Sequence, residues 1–144
     1  MRPALLAALL AAVLALAAGP VVAQERAARV PLDGERTIGG VTVGCTGIGQ
    51  SKSDPRWRAY PIRVEFAAPG GDYLADEALS ISDHTGAILA RVACEGPWVL
   101  LRPESAGDYT FKGWPTGAEA QAKGGSFRIP AKDQARLVLQ FPTR

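Results

Sequence analysis

The chain has one histidine, two cysteines and no strong excess of charge of either sign. Each scarcity closes a class of function. A catalytic triad or a histidine-based zinc site needs further groups to orient or coordinate the imidazole. The lone His84 instead lies in Asp83-His84-Thr85-Gly86, a run of turn formers, and reads as a polar turn residue. No catalytic, cofactor-binding or metal-binding residue is therefore assigned, and the chain is expected not to be an enzyme. Sixteen Lys and Arg against fourteen Asp and Glu give a net charge of +2. The arginines (Arg56, Arg58, Arg63, Arg91, Arg102, Arg128) are dispersed among acids. A nucleic-acid binder concentrates a basic excess on one face, so no nucleic-acid partner is expected.

Long apolar runs are also missing after residue 23. The single run, Ala4 to Ala18, follows Arg2 and is ended by Gly19-Pro20. It is shorter than the roughly 20 residues of a spanning helix and is largely alanine. With Val21-Val22-Ala23 behind it, it has the three-part plan of a secretory signal, cleaved between Ala23 and Gln24. No cysteine follows the run, so lipid attachment is not expected. The expectation is a periplasmic or secreted protein with no membrane span after cleavage. Residues 1–23 are read as the signal, 24–38 as a flexible N-terminal segment and 39–144 as one domain with its own core.

Two cysteines in an oxidising compartment more often pair than stay free. A Cys45–Cys94 bridge would close a loop of about 50 residues and stabilise by about 4 kcal/mol in the chain-entropy model. The alternative is one buried and one exposed thiol, since spacing alone does not show that the side chains meet.

What fills the rest of the chain is alternation. In Tyr60 to Phe66, Tyr60, Ile62, Val64 and Phe66 share one face while Arg63 and Glu65 share the other, the period of a half-buried strand. Leu79 and Ile81 alternate with Ser80 and Ser82; after the Asp83–Gly86 turn, Ile88, Ala90, Val92 and Cys94 share a face. The two segments read as a hairpin. Trp98-Val99-Leu100-Leu101 is continuous and reads as buried on both sides. Tyr109 and Phe111, then Phe127 and Ile129, then Leu137, Leu139 and Phe141 complete the series. Seven short antiparallel strands separated by turns predict an all-β sandwich, with Val41-Thr42-Val43 a candidate eighth strand. Ser53-Asp54-Pro55-Arg56-Trp57-Arg58 predicts at most one short helix, with a capping residue before proline.

The stretch from Ala67 to Phe111 resembles the carboxypeptidase regulatory-like domains. The resemblance lies in Gly71-Asp72-Tyr73-Leu74-Ala75-Asp76, in Ile81-Ser82-Asp83 with its turn to Gly86, in Gly96-Pro97-Trp98, and in Gly107-Asp108-Tyr109. More narrowly, the chain is similar to small exported bacterial proteins in which a glycine-rich start, here Gly44 to Gly49, precedes such a sandwich. The resemblance implies a prealbumin-like (transthyretin-like), broadly immunoglobulin-like sandwich and a non-catalytic role in stability or partner contacts. The transthyretin-like hydrolases of purine breakdown share that architecture but use several histidines and a C-terminal Tyr-Arg-Gly-Ser. His84 alone and the closing Gln140-Phe141-Pro142-Thr143-Arg144 do not match them, so that activity is not expected.

The remaining motifs read blandly. Gly44-Cys45-Thr46-Gly47-Ile48-Gly49 has neither dinucleotide nor P-loop spacing and reads as a flexible connection or edge segment. Asp72, Asp76, Glu77 and Asp83 lack the regular spacing of a calcium loop and read as a solvated turn surface. Trp57 and Trp98 suit a core, whereas Trp114, within Gly113-Trp114-Pro115-Thr116-Gly117, reads as an exposed loop aromatic available to a partner. The expected function is an exported accessory or binding module engaging a protein or another cell-envelope partner. A carbohydrate-binding module and a small hydrolase with unrecognised groups stand as alternatives.

Overall fold

The computed structural model describes residues 26–143, so the signal sequence and the Ala23–Gln24 junction lie outside the described residues. Ten strands follow one another: β1 (Ala28–Val30), β2 (Glu35–Ile38), β3 (Val41–Thr46), β4 (Ile62–Ala67), β5 (Glu77–Ser82), β6 (Ile88–Cys94), β7 (Trp98–Pro103), β8 (Gly107–Pro115), β9 (Lys123–Ile129) and β10 (Ala135–Gln140). They form two five-stranded sheets, β1-β6-β5-β8-β9 and β10-β4-β7-β3-β2. The all-β sandwich expected from alternation is present.

The core lies between the sheets. Val43, Val64, Phe66, Val99 and Leu101 from the second sheet meet Leu79, Ile81, Val92 and Phe111 from the first. Alternation sends the remaining side chains outward. Strand β7 is buried on both faces: Val99 and Leu101 enter the core, while Trp98 and Leu100 join Trp57 and Tyr60 in a second apolar cluster on the outer side. The continuous apolar run is explained by that double burial. Trp57 is carried there by the 3-10 turns Gln50–Ser53 and Pro55–Ala59, with Asp54 accepting from the Arg56 N–H at 3.0 Å. Gly44 leaves room for the ring; a Cβ there would meet Trp57 at 2.6 Å.

Five details depart from the expected sandwich. The count is ten strands, because β1 and β2 occupy the segment expected to be flexible; Val30 is fully buried and lies beside Cys94 in a parallel pairing of β1 with β6. Strand β10 also runs parallel to its neighbour β4, so the sheets are mixed. Strand β3 pairs with β7 throughout and with β2 as far as Gly44, so Gly44 to Thr46 is strand rather than a flexible connection. A third 3-10 turn, Glu119–Gln121, adds to the two beside Pro55. Within the β5–β6 hairpin a register shift at Ile81/Ser82 turns Ile88 outward, 53% exposed, while Leu89 packs against the core.

The parallel β10–β4 pairing is held by charge. Glu65 on β4 has no exposed side-chain surface and accepts a hydrogen bond from Arg136 Nε of β10. The Tyr73 hydroxyl donates to its other oxygen at 3.0 Å, and Arg63 lies at 3.8 Å. Loss of one member of a fully buried pair costs about 3–5 kcal/mol. Arg136 is more than half exposed. Arg136→Met is therefore expected to destabilise by about 2 kcal/mol in denaturant titration. A change within the about 1 kcal/mol of ordinary surface pairs would show that Tyr73 and Arg63 suffice.

Candidate functional site

Polar side chains gather at the end of the first sheet where β5 and β9 finish and β8 begins. The alternation that buries Leu79 and Ile81 turns Ser80 and Ser82 to the other face, and the one that buries Tyr109 and Phe111 turns out Asp108, Thr110 and Lys112. Register then aligns Ser82 with Thr110 and Thr110 with Ser126, so three hydroxyl residues form a row across three strands. Asp108 is opposite Arg128 in the adjoining row. With the turn carrying His84, these residues line an open groove of about 780 Å³.

The groove's charges are largely fixed. Arg128 grips Asp108 through two hydrogen bonds, 2.7 and 2.9 Å. These hydrogen bonds hold the Asp108 carboxyl below its ordinary range and raise the Arg128 guanidinium. Asp83 is also held low, first by the Thr85 hydroxyl at 2.6 Å and also by the Thr85 and Ala87 backbone N–H groups. Both carboxylates near His84 are thus engaged elsewhere. His84 is exposed and makes no hydrogen bond among the described residues. What the groove presents is a set of hydroxyls, one cation in Lys112 and a rigid ion pair, which suits a polar ligand.

Cys45 and Cys94, expected as a pair, form a disulfide with Cα atoms 5.7 Å apart. It joins β3 of one sheet to β6 of the other. A disulfide is consistent with a non-cytoplasmic location, and no helix among the described residues is long and apolar enough to cross a membrane.

Trp114 is placed differently from expectation. It is the penultimate residue of β8, not a loop residue, and is only 5% exposed. The chain after β8 folds back as the turn Glu119–Gln121 against the strand, and the Arg91 guanidinium lies over the ring at 5.2 Å. The four acids are not gathered either. Asp76 and Glu77 stand at the entry to β5 and Asp83 at its exit, with Glu77 buried rather than solvated. Ser126, Arg128 and Lys112 were not singled out in the sequence; their outward alternation was visible, but not the register that unites them.

No family model matches the chain, and no curated protein matches it. Among solved structures the chain is similar to the 5-hydroxyisourate hydrolase of Klebsiella pneumoniae, at 18% identity and a TM-score of 0.44, over 56% of this chain and 88% of that one. The expectation that the chain is not an enzyme is corrected by this finding. The neighbour is an enzyme. At that identity and TM-score the likeness assigns no activity to the chain.

Proposed function

We propose that the chain is an exported binding module, periplasmic or secreted, that engages a macromolecular partner of the cell envelope through the polar groove at the end of the first sheet. The row Ser82–Thr110–Ser126 carries this reading: three hydroxyl residues fixed by strand register, beside Lys112 and the Asp108–Arg128 pair, on a rigid support. Binding groups placed on strands are held more precisely than groups on loops. The openness of the groove suits an extended polar partner. The resemblance of Ala67 to Phe111 to carboxypeptidase regulatory-like domains, whose larger relatives use the domain in partner contacts, supports the same reading.

Ser126→Glu places a bulky charge at the β9 end of the row at an exposed position, where folding is expected to be unaffected. Capture of envelope components by the immobilised domain should fall roughly tenfold with this variant, and thermal unfolding should stay within a degree or two of the parent. Undiminished capture with a folded variant would remove the groove from the proposal.

A further inference from the structure

The outer side of the second sheet holds a small pocket of about 250 Å³, between the 3-10 turns and strands β4 and β7. Its lining includes Lys52, Arg58 and Arg63, with Trp57, Trp98 and Gln134. The lining carboxylate, Asp54, is occupied: its oxygens accept from the Arg56 N–H at 3.0 Å and lie 3.6 Å from the Arg56 guanidinium. Lys52 and Arg58 form no ion pair among the described residues. Arg63 is 3.8 Å from Glu65, on the same oxygen that Arg136 hydrogen-bonds. The pocket therefore carries uncompensated positive charge.

A second observation points the same way. The Trp98 indole N–H and the Arg63 Nε–H are both buried without a hydrogen-bond acceptor. Trp98 is only 7% exposed. Buried donors in folded proteins are almost always satisfied, and an orphan often marks an absent ion or ligand. Two orphans here belong to side chains in contact, the Arg63 guanidinium lying 4.2 Å over the Trp98 ring.

The walls are already in place. Trp57 donates its indole N–H to the Ser51 carbonyl at 2.9 Å, and Gln134 Nε2 donates to the Trp57 and Tyr60 carbonyls at 2.8 and 2.9 Å. Tyr73 meets the Trp98 ring edge-on at 6.1 Å. A preformed site avoids the ordering cost of binding. The volume lies below the roughly 300–1,000 Å³ of pockets for drug-sized ligands, so it matches a single charged group.

We propose that this pocket binds an oxyanion, either free or as the end group of a larger ligand: a phosphate, a sulfate or a carboxylate. Arginine's planar fork matches such groups, and the surrounding indoles exclude water from the contact. The proposal is independent of the groove, which belongs to the outer side of the other sheet.

The test titrates the intact exported domain with sodium phosphate, sodium sulfate and sodium acetate, against sodium chloride at matched ionic strength. Tryptophan fluorescence reports directly, because Trp57 and Trp98 line the site. A saturable response absent with chloride is expected. Phosphate or sulfate ahead of acetate assigns a tetrahedral anion, and the reverse order assigns a carboxylate group. The double variant Lys52→Ala, Arg58→Ala removes two exposed side chains and should weaken binding roughly tenfold with thermal unfolding unchanged in the absence of the anion. Trp98→Phe keeps a ring but removes the N–H and should weaken binding to a similar degree; if it fails to fold, the double variant decides. A response no different from chloride, or one unaltered by the double variant, overturns the proposal.

Discussion

Replacing Cys45 and Cys94 together by alanine is expected to lower the stability of the fold by about 4 kcal/mol, measured by denaturant unfolding against the oxidised protein. The bridge spans 49 positions, and closing a loop of that size removes much of the freedom of the unfolded chain. Both cysteines are buried, so the sulfurs also fill space between the sheets. The consequence is local as well as global. Val30 of β1 pairs beside Cys94, while the Asp33 N–H donates to the Cys45 carbonyl at 2.7 Å and the Cys45 N–H to the Gly34 carbonyl at 3.1 Å. The short N-terminal strands thus hang on both halves of the disulfide. Hydrogen exchange in β1 and β2 should accelerate before that of β4 and β7 when the bridge is reduced. A loss below about 1 kcal/mol would show that the sheets hold their separation without the covalent link.

The sandwich was legible where side-chain alternation alone decides burial. Ile62, Val64 and Phe66 point inward as their period requires, and the unbroken Trp98 to Leu101 run has an apolar cluster on each side. Alternation carries no strand direction, however. Nothing in Leu137, Leu139 and Phe141 distinguishes a parallel from an antiparallel neighbour. Strands β1 and β2 are three and four residues long, and Glu35-Arg36-Thr37 has no apolar member to announce a strand. The register shift that exposes Ile88 adds one residue to a pattern that looked regular. The groove shows the same division. Asp108, Thr110 and Lys112 could be placed on an outward face, but Ser126 and Arg128 join them through pairing, which depends on the whole sheet. The orphan N–H of Trp98 could not be read at all, because an indole's hydrogen-bond partner is a property of the assembled surroundings.

Trp114→Ala should destabilise the domain by about 3 kcal/mol and lower its unfolding midpoint by roughly 10 °C. The glycine, proline and threonine around Trp114 announced a loop, yet strand β8 continues through it in register, with Trp114 opposite Ala78 of β5. On the outer face of the sheet the ring would be bare, but it is only 5% exposed, and the segment that returns after β8 packs against that strand. Glu119 begins the returning turn and holds Arg91 at 2.7 Å, and Arg91 lies over the indole. Removal of an indole costs about 3–5 kcal/mol in a core. The lower end applies here because Trp114 belongs to neither apolar cluster and part of its cover is a charged side chain. Arg91→Ala should cost less, about 1 kcal/mol, since it removes a partly exposed cation from the ring and an ion pair with an exposed carboxylate. Combining the two substitutions should then cost less than their sum, because the cation is stabilised by the ring it covers. Strict additivity would mean that the Arg91 contact with the indole contributes nothing. An unfolding midpoint left unchanged by Trp114→Ala would mean that the ring is free in solution, and the segment from Thr116 to Ala122 would then not close over it.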